Sequence, residues 1–310
     1  MPAPRLPVRI VSVHVYPVKS CHRLDPAAVT LGARGLVGDR AWMVTSPDGR
    51  FLTQRTHPAL ARIRPELDGE RLLLRHTDMA PLSLPAQGDP AWARTRVRVW
   101  NDEVEAALAG ADARDWLRAA LGSDALLVRA QAFTRRQPSG PWSGGRDVPV
   151  DFPDAYPLLV CSIASLGALN ARLPAPLPMT RFRPNLVVEG LDPFAEDVIE
   201  SLHFDGCELR LVKPCTRCST TPNCIGSAGR SGAAAPDARG RAARRARGQS
   251  EIRSGSTPMP MRFERWMRSK LRAITAFTPS IMVPLAAQSR DDPVPYSFPA
   301  RTTSGMPFPS

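Results

Sequence analysis

No run of about 18 uninterrupted apolar residues occurs in this chain, so no segment reads as a membrane-spanning helix. The opening Met1-Pro-Ala-Pro-Arg-Leu-Pro7 lacks the apolar core of a secretory leader, and the expected compartment is the cytoplasm. Six cysteines in 310 residues (21, 161, 207, 215, 218 and 224) are too few for a disulfide scaffold. In a reducing compartment they are thiols, ligands or redox groups. Residues 1–221 also lack a marked excess of one charge: 27 Arg and Lys face 24 Asp and Glu, leaving +3 of the total +12. With so little basicity in the body, nucleic-acid binding by the folded part is not expected.

Branched aliphatics are scarce at the carboxyl end. Leu, Val and Ile number 51 in residues 1–221 but 8 in residues 222–310, so the tail can bury little core. It holds 14 Arg and Lys against 5 Asp and Glu, and residues 229–248 are almost wholly Arg, Ala, Gly, Ser and Pro. Three readings stand open: translation in a shifted frame from near codon 222, a disordered basic tail, or a short amphipathic helix. The helix reading rests on Phe263, Trp266, Met267, Leu271, Ile274 and Phe277, which follow helical spacing with Arg and Lys between them. Such a helix would suit a membrane surface or a partner.

What the body contains is strand signal. Residues 8–18 alternate as a half-buried strand does, and 40–45, 71–75 and 96–100 are further strand candidates. A helix is expected at 112–121, where Trp116, Leu117 and Leu121 share a face, and residues 130–155 read as a linker or long loop. A second helix starts at a Ser162 cap and runs through Leu166, Leu169 and Leu173. Residues 180–190 are a loop feeding a strand, and Asp205-Gly206 marks a hairpin turn between 201–204 and 207–212. The chain is therefore expected to be mixed α+β and β-rich, with a β-barrel-like first half.

The hairpin's second strand ends in Lys213-Pro-Cys-Thr-Arg-Cys218, which delivers two cysteines with an arginine between them. A neighbouring guanidinium favours thiolate, the soft ligand or redox form. One reading is structural zinc on Cys207, Cys215, Cys218 and Cys224, although the outer spacings fit it poorly. A second is a dithiol exchange site, for which Ser219-Thr-Thr-Pro222 is a poor helix start. In the third, one thiolate holds an external cofactor. Lys19-Ser20, Arg40 and Arg183-Pro-Asn185, each in a turn or at a strand end, would then serve its anionic parts; any one alone would be an ordinary turn or surface residue.

The order of these segments resembles the MOSC-domain proteins, near the mitochondrial amidoxime-reducing components and their bacterial relatives. The likeness covers about residues 8–221. It rests on Tyr16-Pro-Val-Lys-Ser-Cys21, Gly35-Leu-Val-Gly-Asp-Arg40-Ala-Trp-Met-Val44, Phe51-Leu-Thr-Gln-Arg-Thr-His-Pro58, Tyr156-Pro-Leu-Leu159, Ser162-Ile-Ala-Ser-Leu166, Arg181-Phe-Arg-Pro-Asn185, Ala195-Glu-Asp197 and the cysteine loop. It implies an N-terminal MOSC β-barrel-like domain over residues 1–130, an incomplete MOSC β-barrel domain over 131–221, and a low-complexity basic tail over 222–310, disordered or out of frame. The implied cofactor is a molybdenum–pyranopterin, with Cys218 as metal ligand and catalytic centre and Cys215 orienting the loop. Lys19, Ser20, Arg40, Arg183 and Asn185 match pterin- and phosphate-binding positions, and Ser162, Ser165, Thr216 and Arg217 are further carry-overs near the same site.

The reaction implied is two-electron reduction of small N-hydroxylated or N-oxide substrates. Cys224 is the one cysteine in the tail, too few for an iron–sulfur cluster, so an external electron donor is expected. A cofactor-handling role, with a persulfide on Cys218, is the alternative, and an inactive remnant is a third. Pyridoxal phosphate appears in some family descriptions, but no lysine here has a recognisable context for it. The chain leaves the family pattern after Thr221. Loss of the following strands would expose sheet edges and destabilise the product.

Overall fold

The computed structural model describes residues 8–138, 147–204 and 207–215, together with strand segments at 272–277 and 281–284. In chain order the strands begin with β1 (Arg9–Val13), β2 (Ala28–Gly32), β3 (Gly35–Leu36), β4 (Trp42–Thr45), β5 (Arg64–Asp68), β6 (Arg71–Arg75) and β7 (Leu82–Pro85). Next come β8 (Arg94–Val99), β9 (Asp102–Leu108), helix α1 (Ala111–Leu121), β10 (Leu126–Arg129), β11 (Leu158–Ser162) and helix α2 (Ile163–Asn170). The remainder is β12 (Leu186–Glu189), β13 (Ser201–Phe204), β14 (Cys207–Pro214), β15 (Arg272–Phe277) and β16 (Ile281–Pro284). The chain is strand-rich and mixed α+β, as its alternation indicated.

Four sheets organise these strands. The largest runs β1-β12-β11-β15-β14-β13, and a second runs β4-β10-β9-β8; two three-stranded sheets are β16-β2-β3 and β5-β6-β7. Alternation sets the faces. In β8, Val97 and Val99 are buried while Arg94, Arg96 and Arg98 point out, and in β6 Leu72 and Leu74 are the buried pair. Leu72, Leu74, Leu60, Trp42 and Leu117 share one core; Val13, Val160, Leu186, Leu202 and Leu209 form another. In α1, Ala113, Leu117 and Ala120 follow the helical period inward. The helix ends at Gly122, whose positive φ of 68° lets its N–H return to the Arg118 carbonyl at 2.9 Å.

Several boundaries differ from the sequence pattern, each for a local reason. The strand expected over 8–18 stops at Val13, because the next residues turn off to bond elsewhere: Tyr16 N–H donates to Asp39 Oδ1 at 2.8 Å. The strand at 40–45 starts only at Trp42, since Arg40 is left-handed (φ 48°). The second helix stops at Asn170, short of Leu173, because the Asn170 side chain both donates to and accepts from the Leu177 backbone at 3.0 and 2.9 Å. Residues 272–277 are a strand rather than the end of an amphipathic helix. Pairing antiparallel with both β11 and β14 satisfies backbone groups that those strands would otherwise leave open. Residues 263–271 of that helix reading lie outside the described residues.

Candidate functional site

Three separated segments are zipped together by backbone hydrogen bonds around Tyr16. Arg40 N–H donates to the Tyr16 carbonyl at 2.7 Å, Lys19 N–H to the Trp42 carbonyl at 2.8 Å, and His14 N–H to the Asn185 carbonyl at 2.8 Å. Asn185 N–H in turn donates to the Leu159 carbonyl at 2.8 Å. The result brings Lys19, Ser20, Arg40, Arg183 and Asn185, scattered over 167 positions of sequence, into one neighbourhood.

Asn185 is buried and fully engaged. Its Oδ1 accepts from Arg40 at 2.8 Å and from Leu159 N–H at 3.2 Å, and its Nδ2 donates to the His14 carbonyl at 3.1 Å. Arg40 also donates to Asp39 Oδ2 and, at 3.3 Å, to the Arg183 carbonyl. The guanidiniums of Arg40 and Arg183 lie 4.4 and 4.1 Å from the centre of the Tyr16 ring. Lys19, 5% exposed, donates to the Phe152 carbonyl at 2.9 Å and pairs with Asp154, a carboxylate whose side chain is 75% exposed. Ser20 Oγ donates to the Leu52 carbonyl at 3.3 Å, and the Ser20 carbonyl accepts from Gln54 at 2.7 Å.

The cations of this cluster are not equally paired. Asp39 answers Arg40 and Asp154 answers Lys19, but among the described residues the Arg183 guanidinium donates to the Cys21 carbonyl at 2.8 Å and pairs with no carboxylate. Burial, with repulsion from Arg40, pushes Arg183 down to about 10. Burial also pushes the Lys19 ammonium down, against the pull of Asp154, and pushes the Asp39 carboxyl up against the pull of Arg40. Tyr16 Oη is buried without a hydrogen-bond partner among the described residues, and burial raises its pKa. Three site residues hold left-handed backbone without being glycine: Ser20 (φ 69°), Arg40 (φ 48°) and Arg183 (φ 53°). Each such position costs about 1–3 kcal/mol and persists where surrounding structure enforces it. An uncompensated guanidinium beside an unpartnered phenol fits an anionic, hydrogen-bonding ligand.

Ser162 and Ser165 belong to a second cluster. Ser162 Oγ caps α2 by accepting from Ser165 N–H at 3.0 Å, as the sequence suggested, and Ser165 Oγ accepts from Phe194 N–H at 2.8 Å. Beside them Glu196 is 1% exposed; burial pushes its carboxyl up, with Ser165 opposing. Leu159 and Lys213 both pair with Ala273, so β11 and β14 run level, and Cys215 leaves the sheet at the edge where Ser162 lies. Asn185 bonds to Leu159, three residues and therefore about 10 Å along the strand from Ser162. Thr216, Arg217 and Cys218 lie outside the described residues. Cys207 opens the eight-residue β14 and Cys215 follows its last residue. An extended strand of that length holds them about 25 Å apart, which rules out shared tetrahedral zinc. No group of three His, Cys, Asp or Glu side chains suited to a metal occurs among the described residues.

Sequence reasoning missed Asp39, Asp154 and Glu196 as site neighbours, and gave Tyr16 no role. Asp39 sits directly before Arg40, a usable signal. Asp154 lies in the stretch read as a linker, where one acid among many has none. No helix among the described residues is long and apolar enough to cross a membrane.

Comparison with known proteins identifies two domains. Residues 7–124 match the MOSC N-terminal beta barrel domain and residues 147–259 the MOSC domain, the second match running past Thr221, where the motif likeness stops. The chain is 31% identical over 219 residues to human mitochondrial amidoxime reducing component 2, covering 68% of this chain and 65% of that protein. It is 32% identical over 219 residues to human mitochondrial amidoxime-reducing component 1, with the same coverage of 68% and 65%. The chain thus spans just under two thirds of the length of these relatives. A molybdenum cofactor sulfurase of Drosophila grimshawi is 30% identical over 242 residues, which is 76% of this chain and 30% of that protein. With the MOSC N-terminal domain matched over its first part and the MOSC domain after it, the chain belongs to the MOSC-domain proteins that carry the MOSC N-terminal β-barrel domain.

Proposed function

We propose that this chain binds a molybdenum–pyranopterin cofactor and reduces small N-hydroxylated or N-oxide substrates with electrons from an external donor. The observation that carries the reading is Arg183, which pairs with no carboxylate among the described residues and is set with Arg40 against the Tyr16 ring. Arg183 would grip the anionic oxygens of the pterin's phosphate by paired donors, with Lys19 and Ser20 beside it, while Arg40 and Asn185, engaged with each other, would frame the pterin site. Cys218 would supply the metal's thiolate, with Thr216 and Arg217 beside it and Ser162 and Ser165 at the sheet edge where the loop departs. When bound, the cofactor would supply oxygen-atom-transfer chemistry, giving the substrate the two electrons that its reduction needs. Overall, the N–O bond breaks, two electrons and two protons enter, and water leaves with the reduced nitrogen. The protein's part is to fix the anion, exclude bulk water with the buried Tyr16 and Asn185, and hold Lys19 charged through Asp154.

The test is metal analysis and benzamidoxime reduction, with a chemical electron donor, on wild type and Cys218→Ala. Molybdenum near one per chain, and activity abolished in the variant, is the expected result. Metal-free wild type expressed with cofactor supply would sink the reading. The likeness to a molybdenum cofactor sulfurase favours a second reading, in which Cys218 carries a persulfide. Cyanide-releasable sulfur lost in Cys218→Ala, without benzamidoxime reduction by wild type, would select it.

A further inference from the structure

Beside Lys19 the structure holds an aromatic feature that the cofactor-binding reading does not use. The β8–β9 hairpin pairs Val99 with Asp102, so Trp100 and Asn101 form a two-residue turn. Trp100 takes its first position with φ 56°. Tight hairpins of this length give left-handed positions to Gly, Asn or Asp; a bulky indole is strained there. It is nevertheless held in place. Its Nε1–H donates to Asp154 Oδ1 at 3.3 Å, the oxygen that also accepts from Lys19. Its ring packs tilted on Phe51 with centroids 4.9 Å apart, and the Lys19 ammonium stands 5.3 Å from the centre of the Phe51 ring. Arg55 stands 5.5 Å from the centre of the indole. The turn is clamped from below, because Arg98 N–H donates to the Gly49 carbonyl and Phe51 N–H to the Arg98 carbonyl. With all this, Trp100 is 43% exposed.

Strain, tethering and exposure together are not explained by packing, since a packing residue would be buried and a turn residue would be glycine. We infer that Trp100, backed by Phe51 and Arg55, is a stacking platform for the planar aromatic ring of an N-oxygenated substrate; this rests on the reductase reading and narrows it to aryl-bearing substrates. The occupant is a small flat ring because the half-exposed indole is tied at its edge to Asp154 Oδ1, the oxygen that also holds Lys19 of the proposed cofactor site. A ring stacked on it adds the favourable contact of an aromatic pair, about tenfold in affinity.

The test uses the full chain and two probes that differ in the ring, benzamidoxime and acetamidoxime, with Kd read by ligand-detected NMR titration. Trp100→Gly should weaken benzamidoxime about tenfold and leave acetamidoxime unchanged. Trp100→Phe should restore most of the loss. The melting temperature of Trp100→Gly should stay level or rise, because glycine relieves the left-handed strain. Equal weakening of both probes, no weakening of either, or no benzamidoxime binding by wild type would overturn the platform. The two readings fail separately. Ring-dependent binding without turnover would end the reductase reading and leave the platform standing. Turnover with the same ring preference in wild type and Trp100→Gly would do the reverse.

Discussion

Arg40 and Arg183 face the same phenol ring, yet their surroundings differ in kind. Around Arg40 every partner is present: the Asp39 carboxylate, the Asn185 carbonyl oxygen and the Arg183 carbonyl. Asp39 in turn accepts Tyr16 N–H, so this half is a closed network that ties segments 16–21, 39–40 and 183–185 together. Around Arg183 a single carbonyl and a ring are all that the described residues supply. A closed polar network serves the fold; an open cation beside it is a demand for an anion.

The comparison breaks most visibly at Asp39. Asp39→Asn leaves Arg40 buried without its counter-charge and should lower unfolding free energy by about 3–5 kcal/mol, measured by urea denaturation. A loss under 1 kcal/mol would mean the Arg40 half is not structural. Next is the turn that delivers Asp39. At Gly35 (φ 110°) an added Cβ would lie 2.9 Å from Pro157 Cβ, whereas at Gly38 (φ 83°) it meets nothing within 4 Å. Gly35→Ala should therefore cost about 2 kcal/mol or more and Gly38→Ala about 1 kcal/mol, from backbone strain alone. Equal melting shifts would remove the Pro157 contact from the account.

Arg183→Gln sharpens the other half. Cofactor-free protein should keep its stability or gain about 1 kcal/mol, while retained molybdenum falls tenfold or more. Its pH dependence has a definite sign. Arg183 titrates near 10 when folded, below the ordinary arginine range, so above pH 10 the unfolded chain holds more protons and wild-type stability rises there. The advantage of the glutamine variant should be full below pH 9 and shrink as pH passes 10; a constant gap would contradict the assignment. The smallest effect lies at the surface. Arg114 and Arg118 hold Asp124 down to about 2, so the wild-type lead over Asp124→Asn should be present above pH 4 and vanish as pH falls through 2. A lead that persists in acid would show contacts other than charge.

Legibility of the fold followed the periodicity of each segment. β6, with Leu72 and Leu74 inside and arginines at its ends, and α1, with Leu117 at its centre, were readable because a two- or 3.6-residue period is written locally. The cap at Ser162 was readable for the same reason. Residues 272–277 were not. Their apolar spacing matches a helix, but an open slot between β11 and β14 makes strand pairing available, and no local pattern records a slot. Asp154 was illegible too. It sits in an aperiodic stretch, and its part comes wholly from Lys19, 135 residues earlier.

By itself, then, the sequence determined the strand-rich class, the segments that carry Lys19, Ser20, Arg40, Arg183 and Asn185, and the family resemblance, since these depend on residue type and order. Only the tertiary structure decided that Tyr16 lies against two guanidiniums, that Asp39 neutralises one of them and none of the described carboxylates the other, and that Trp100 stands strained beside Lys19. The reason is physical. Propensity and pattern act over a few residues, whereas charge balance, burial and strain are properties of neighbourhoods assembled from chain segments far apart.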